Sequence, residues 1–238
     1  MLSLIPISDA NPTRRLPIVT LLLIVLNVIA FFRTPGLGQT SESSRYFVEH
    51  APAACQLEDQ CPERVPITRT EVAEYPDRDL STFLMSILYS TFLHGGFFHI
   101  IGNMLFLWVF GNNVEDFLGR TKFLLFYLIG GILASLAHVF WTLSVEPLPC
   151  RAGEIAACVP SVGASGAVAA VMGAYLLLFP RARVNVLVPI FIIFTVIQMS
   201  ALATLAIWFI YQFVIAWQDL TGATDVAWMA HVGGFVFG

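Results

Sequence analysis

The sequence has few charged residues. Only 12% of its 238 residues are charged, whereas a soluble domain carries about 25%. Hydrophobic residues make up 57% of the chain, in several long runs spread over its whole length. This composition excludes a soluble globular domain and predicts a polytopic membrane bundle, with the lipid bilayer as its first partner. The formal net charge is −4 and basic clusters are absent, which argues against nucleic acid as a partner.

The first apolar run has no cleavage site behind it. Arg14 and Arg15 precede residues 17–32, in the manner of the basic and hydrophobic regions of a secretory signal. A small-x-small motif is missing, and the chain continues with "RTPGLG". We therefore predict an uncleaved first span, preceded by a cytoplasmic segment at residues 1–16.

Six spans fit the remaining pattern if each needs about 20 residues. They fall at about 17–32, 97–110, 123–143, 163–179, 200–217 and from 226 onward. The stretch 184–217 contains no charge and is too long for one span but too short for two, so we place residues 184–199 at the membrane interface. With these spans, the short connections that hold most of the basic residues lie on the same side of the membrane. The positive-inside rule identifies this side as the cytoplasmic one.

The predicted fold is all-α, a bundle of six transmembrane helices that occupies residues 17–238. The stretch 33–80 is acidic and rich in proline, and we predict that it is a long extracytoplasmic loop. The last span would have only 13 residues from Val226 onward. Such a helix is about 20 Å long, shorter than a bilayer core of about 30 Å, so we expect the last helix to be truncated.

The chain contains four cysteines, all in the two predicted outer loops. Cys55 and Cys61 lie in the first loop, and Cys150 and Cys158 lie in the second. This side is oxidising if the membrane is a bacterial plasma membrane. Each pair could close a small ring, and a bridge between the loops is also possible. Because His50 is the one histidine near them, disulfides are favoured over a metal site.

Polar side chains collect at one depth in this topology. Spans two, four and six run in the same direction, and their first turns carry His99 and Asn103, then Ser165, then His231. Hydrogen-bonding groups are expensive in lipid, so such residues are functional candidates. His99 and Asn103 are four residues apart and share one helix face. Hydrogen-bond donors that have no permanent acceptor and lie beside a nucleophile can stabilise an oxyanion that forms during a reaction.

Two interpretations of Ser165 remain open from these residues alone. The small residues around it could simply let helices approach closely, and the hydrolase motif G-x-S-x-G is absent because position 167 is Ala. His231 could likewise make a structural hydrogen bond to the backbone. However, Gly234 and Gly238 follow His231 at +3 and +7 and would press span six against span four, the proximity that a Ser–His hydrogen bond requires.

Other ionisable residues are placed less well for chemistry. Glu115 and Asp116 lie in the predicted connection "GNNVEDFLGRTK" on the opposite side, so no acid is available as a third catalytic member and a dyad is favoured over a triad. We expect His94 to brace the entry to span two and His138 to be an interfacial residue.

Three motifs together resemble the rhomboid intramembrane serine proteases. They are "HGGFFHIIGNM" at residues 94–104, "GASG" at 163–166 and "AHVGGFVFG" at 230–238, and the similarity runs from about Thr82 to the end of the chain. The resemblance implies that Ser165 is the nucleophile and His231 the general base and then acid. It implies an oxyanion hole made by the backbone N–H of Ser165 with the side chains of His99 and Asn103. It also implies transmembrane protein substrates and no metal or cofactor.

Two positions depart from the rhomboid pattern. Some members have an aromatic residue four positions after the serine, where this chain has Ala169, so we expect packing alone to orient His231. Some have an arginine eight positions before the first motif histidine, where this chain has Ser86, which puts the anchoring of the first loop in doubt.

Two other classes of function compete with the protease. A non-catalytic relative that binds and escorts membrane clients would lose the dyad, and this chain keeps both Ser165 and His231. A solute or proton carrier would use His99, Asn103 and His231 as a relay, but the predicted spans contain no Asp or Glu. We expect a bacterial plasma membrane, with the N-terminus in the cytoplasm and the active site open to the extracytoplasmic side.

Overall fold

The computed structural model describes residues 5–68, 71–145, 158–190, 193–220 and 227–238. Its α-helices are α1 (Ile18–Arg33), α2 (Ser41–His50), α3 (Leu80–Ser90), α4 (Phe97–Leu118), α5 (Arg120–Val145), α6 (Ser165–Leu178), α7 (Ala201–Leu220) and α8 (Trp228–Phe237). Its strands are β1 (Ile5–Asp9), β2 (Val65–Pro66), β3 (Val72–Ala73), β4 (Arg183–Ile190) and β5 (Ile193–Ser200).

The predicted helical class is confirmed, whereas the number of spans is not settled. Within the described ranges, α4 and α5 are the helices long and apolar enough to cross a bilayer, with 22 and 26 residues and mean hydropathies of 1.3 and 2.1. Large apolar side chains such as Leu22, Leu133 and Ile210 are exposed on the outer faces of their helices, as expected where a bundle faces lipid. The count of six spans stays a prediction.

Helix α6 lies at the centre of the bundle. Every residue from Gly166 to Tyr175 is buried, which is typical of a helix enclosed on all sides. Its small residues allow α8 to approach closely, because a Cβ added at Gly234 would overlap the carbonyl oxygen of Gly166, and one at Gly238 would overlap that of Ala170. The predicted close contact between spans four and six is therefore confirmed.

The predicted connection "GNNVEDFLGRTK" is wrong, because α4 continues through most of it. The helix ends at Leu118, and the φ of +78° at the following Gly119 suits glycine at a helix end. Glu115 is buried within this turn, and its carboxylate accepts hydrogen bonds from the backbone N–H groups of Val19 at 3.0 Å and Thr20 at 2.7 Å. It thus satisfies free N–H groups at the N-terminus of α1. Glu115 lies near the end of α4 and His99 near its start, so the prediction that Glu115 is remote from the Ser165 cluster agrees with the structure.

The segment at residues 184–199 forms strands, which the sequence analysis did not predict, and its placement at the membrane interface stays a prediction. Strands β4 and β5 form an antiparallel hairpin, and β1 pairs with the free edge of β4. Val184, Val186 and Val188 are buried at alternate positions, which is the period of a strand with one covered face. Asp9 of β1 accepts hydrogen bonds from the Tyr175 hydroxyl at 2.6 Å and from Asn113 at 2.8 Å, which fastens the sheet to α6 and α4.

The stretch 33–80 is a loop with structure of its own. It contains α2, the pair β2–β3 and two 3₁₀ turns, and α3 follows as a separate short helix. The backbone of α2 is capped by Thr40, whose hydroxyl accepts from the N–H of Ser43. Of the pairings left open above, the structure has Cys55 bonded to Cys61. Cys158 is disulfide-bonded as well, and Cys150 lies outside the described residues.

Candidate active site

A cavity of about 670 Å³ opens between α4, α5, α6 and α8. Its walls include all four residues that the sequence singled out, Ser165, His231, His99 and Asn103. They come from three helices that are far apart in sequence, so the fold brings them together as the predicted parallel spans require. Apolar side chains complete the walls, among them Phe98, Trp141, Val168 and Met172.

Ser165 is the first residue of α6. The N-cap residue Ala164 provides no side-chain hydrogen bond, so the N–H groups of the first helical turn have no capping side chain. The preceding backbone is held from outside, because the N–H of Gly163 donates to the carbonyl of Ser90 at 3.0 Å and that of Ser161 donates to Pro52 at 2.8 Å. The serine therefore stands at a fixed helix N-terminus, where the helix dipole favours negative charge.

His99 faces the approach to Ser165. Its Nδ1 accepts a hydrogen bond from the N–H of Gly95 at 3.4 Å, so the proton of the neutral ring lies on Nε2. A Cβ added at Gly163 would lie 2.8 Å from that Nε2 and 3.6 Å from the hydroxyl of Ser165. The donor and the hydroxyl thus border the same small space, and Gly163, with a φ of +130°, leaves it open.

Asn103 presents an unsatisfied donor to the cavity. Its Nδ2 is buried and has no hydrogen-bond partner within the described residues. An unsatisfied buried donor costs about 1–3 kcal/mol. A group held in this way is free to bond to an acceptor placed in the cavity.

His231 is oriented by a side chain that the sequence analysis missed. Its Nδ1 lies 2.8 Å from Oε1 of Gln212 on α7, and the Trp208 ring lies 6.0 Å from the imidazole, centroid to centroid. The expectation that packing alone orients His231 is therefore wrong. Across the described ranges no hydrogen bond joins His231 to Ser165, although both line the cavity. The available signal was an amide within a charge-free apolar run, which is a functional candidate in a membrane helix.

The two remaining histidines of this region have different positions. His138 was predicted to be interfacial, but it lines the cavity, and its Nδ1 is buried without a partner among the residues described. His94 is fully buried and packs edge-on against His99, with ring centroids 5.1 Å apart. Both of its ring nitrogens are buried without a hydrogen-bond partner among the described residues, so the predicted bracing of the entry to α4 stays a prediction.

The fold and the cavity define a helical membrane protein with a serine- and histidine-lined cavity inside its bundle. The family model described as the Rhomboid domain matches residues 82–238. The chain belongs to the rhomboid family.

Relatives of this chain are found in mitochondria and in a bacterium. It is 29% identical over 184 residues to presenilin-associated rhomboid-like protein A, mitochondrial, of Danio rerio, covering 75% of this chain and 42% of the relative. It is 32% identical over 161 residues to Rhomboid protein 1, mitochondrial, of Saccharomyces cerevisiae, covering 68% and 42%. A shorter match, 34% over 84 residues, covers 35% of this chain and 36% of the putative rhomboid protease YdcA of Bacillus subtilis.

The comparisons also correct the predicted compartment. The relatives that overlap two thirds or more of the chain are named as mitochondrial proteins. The prediction of a bacterial plasma membrane, and with it a cytoplasmic N-terminus, is therefore wrong. The chain spans about two fifths of the length of these mitochondrial relatives, 42% in the yeast protein.

Proposed function

We propose that this protein is an intramembrane serine protease that cleaves peptide bonds in or near the transmembrane segments of other membrane proteins. One observation carries the proposal: Ser165, His231, His99 and Asn103 line a single cavity within the bundle. Membership of the rhomboid family supports it, as does the name of the bacterial relative, a putative rhomboid protease. Since the larger relatives are named mitochondrial, a mitochondrial membrane is the compartment we propose.

In the proposed acylation step, the hydroxyl oxygen of Ser165 attacks the scissile carbonyl carbon. His231 accepts the hydroxyl proton through Nε2, the ring nitrogen that does not face Gln212. The carbonyl π electrons move to oxygen and give a tetrahedral oxyanion. Its collapse breaks the C–N bond, and the protonated His231 gives its proton to the leaving amine. Water then attacks the acyl ester by the same sequence and releases the acid.

The proposed oxyanion hole combines backbone and side-chain donors. The backbone N–H of Ser165 belongs to the uncapped first turn of α6, and the Nε2–H of His99 borders the same space as the serine hydroxyl. The Nδ2 of Asn103 provides a buried donor that has no partner in the described structure. Donors held in place before the reaction stabilise the developing charge without a reorganisation cost, which is the largest single contribution in many enzymes.

The surroundings of the cavity suit a substrate that comes from the membrane. Phe98, Trp141 and Met172 line it, and the outer faces of the neighbouring helices are apolar. A helical substrate has all its backbone carbonyls bonded within the helix, so a segment must unwind before Ser165 can reach one. We propose that residues with low helix propensity mark the cleaved segment.

The test is cleavage of a model transmembrane substrate by purified protein in proteoliposomes. Ser165→Ala should remain folded and reduce cleavage to background, and labelling of the protein by a fluorophosphonate probe should disappear with it. Ser161→Ala is the matched control, because Ser161 also lines the cavity but has no proposed chemical role. Cleavage by Ser165→Ala at the parent rate would refute the assignment, and client binding without cleavage by the parent would favour an escort function.

A further inference from the structure

We infer that Gln212 is a positioning residue for the proposed reaction, one that fixes the tautomer of His231 so that its Nε2 can accept the Ser165 proton. The inference rests on the proposed function and concerns a residue outside the three sequence motifs. Gln212 lies on α7, its side chain contacts the imidazole, and it is not among the residues that line the cavity.

The orientation of the Gln212 amide follows from its second hydrogen bond. Its Nε2 donates to the carbonyl oxygen of Trp208, one turn earlier on α7, at 3.1 Å. The other end of the amide, Oε1, therefore faces His231, 2.8 Å from Nδ1. An amide oxygen can only accept, so Nδ1 must carry the proton.

The consequence for the imidazole is a single tautomer. A neutral ring carries one proton, so protonation of Nδ1 leaves Nε2 with a free lone pair. Nε2 is the nitrogen that a general base presents to the serine, as the aspartate of a Ser-His-Asp triad arranges. For His231, the amide of Gln212 takes the place of that aspartate. Cysteine proteases with a Cys-His-Asn site show that an amide can orient a catalytic histidine.

An amide is also the suitable group for this place in the bundle. Gln212 is 2% exposed, and a carboxylate buried there would carry a large desolvation cost. The amide has its oxygen and one N–H bonded, and its oxygen dipole favours the imidazolium that forms during the reaction. Gln212 is absent from the cavity wall, so it acts on the reaction through His231 and does not touch the substrate.

A structural role as a link between α7 and α8 is the competing explanation, and two substitutions separate them. Gln212→Met keeps the length of the side chain and removes both hydrogen bonds, whereas Gln212→Glu keeps an acceptor opposite Nδ1. Positioning predicts that the Met variant loses about 10²-fold or more in kcat with KM unchanged, and that the Glu variant stays within about tenfold of the parent. A structural link predicts the reverse order, because Met suits an apolar bundle and a buried carboxylate does not.

Controls make the failures distinguishable. Thr204→Val removes a different buried polar group of α7, the hydroxyl that donates to the Ser200 carbonyl. Thr204 does not line the cavity, so the kcat of this variant should stay near that of the parent. If the parent shows no cleavage and no fluorophosphonate labelling, the proposed protease function fails. If the parent cleaves and Gln212→Met is as active as Thr204→Val, the positioning role alone is overturned.

A measurement on the unmodified protein tests the same point even if a variant fails to fold. The ¹⁵N spectrum of histidine-labelled protein in detergent, with His231 assigned by comparison with His231→Gln, reports which ring nitrogen carries the proton. We expect protonated Nδ1 and bare Nε2. The opposite tautomer would overturn the inference, whatever the activity of the variants.

Discussion

The guanidinium of Arg78 donates a hydrogen bond to the hydroxyl of Ser86, with 3.3 Å between Nη1 and Oγ. Ser86 stands where some rhomboids have an arginine, and that absence put the anchoring of the first loop in doubt. In this structure, an arginine from a different position in the chain bonds to Ser86. Arg78 also donates to the carbonyls of Ala51 at 2.7 Å and Glu49 at 2.8 Å, so it ties the loop to α3.

Loss of Arg78 should loosen the whole loop. We expect Arg78→Gln to lower the free energy of unfolding by about 2–3 kcal/mol, since the hydrogen bonds from a charged donor to the carbonyls of Ala51 and Glu49 are lost. Arg78→Lys should recover only part of this, because an ammonium lacks the planar fork that spans several acceptors. Thermal unfolding in detergent measures the effect.

The control is another arginine of the same loop. Arg64 forms an exposed ion pair with Glu74 at 3.5 Å, with side chains 71% and 70% exposed, and such pairs contribute little. Arg64→Gln should therefore unfold like the parent. Equal stability of the Arg78→Gln and Arg64→Gln variants would contradict the anchoring role of Arg78.

The anchored loop reaches the candidate nucleophile through a short chain of contacts. Ala53 and Cys55 pack against Cys158, and the hydroxyl of Tyr75 donates to the Cys158 carbonyl. The N–H of Ser161 then donates to Pro52. The loop that lies outside the family match thus supports the segment that leads into α6.

The helical bundle and the four cavity residues could be predicted because each depends on a local pattern. Apolar runs mark the helices, and His99, Asn103, Ser165 and His231 are polar residues at the start of such runs. The hairpin β4–β5 was missed although its signal was present, since buried Val184, Val186 and Val188 alternate with other residues. The length of the charge-free run concealed this period of two.

Contacts between distant segments were beyond the reach of a single sequence. The pairing of Ile5 with Leu187 joins strands from opposite ends of the chain. Gln212 lies nineteen residues from His231, on another helix, so its partner depends on how α7 and α8 turn toward each other. Two of the acceptors of Arg78 are the backbone carbonyls of Ala51 and Glu49, which every residue has, and no residue type marks them in advance.

The contact between α8 and α6 should not tolerate even one methyl group. Gly234→Ala would place a Cβ against the Gly166 carbonyl, and backbone cannot move aside as a flexible side chain can. We expect a loss of about 1–3 kcal/mol in unfolding free energy and a large fall in activity, because α8 carries His231. Gly102→Ala is the control for stability, since its Cβ would meet no atom within 4 Å. Parent-like stability and cleavage in Gly234→Ala would contradict this packing.

Asn103 should matter for the rate and not for substrate binding. Its Nδ2 is buried without a partner in the described structure, so its hydrogen bond forms when charge develops on the substrate oxygen. We expect Asn103→Ala to lower kcat by about 10²–10³ with little change in KM. Asn112→Ala, on the same helix but outside the cavity lining, should keep the parent kcat. A rise in KM alone would show that Asn103 binds the ground state.

Asp79 should make the stability of α3 depend on pH. Its Oδ1 accepts from the N–H of Thr82 at 2.8 Å and from the Thr82 hydroxyl at 2.6 Å, and these bonds, with one from Ser81, hold the pKa of Asp79 below its ordinary value of 3.8. A carboxyl with a lowered folded-state pKa stabilises the protein above its unfolded pKa, and this contribution is lost as pH falls through the folded value.

Asn at position 79 can accept the same bond without the charge that favours a helix N-terminus. The melting temperature of the parent should therefore exceed that of Asp79→Asn at neutral pH, and the difference should shrink as pH falls below 3.8. Asp77 is an exposed neighbour without a hydrogen bond in the described structure, so the melting temperature of Asp77→Asn should follow that of the parent at every pH. A difference between the melting temperatures of the parent and Asp79→Asn that persists in acid would contradict the role of Asp79.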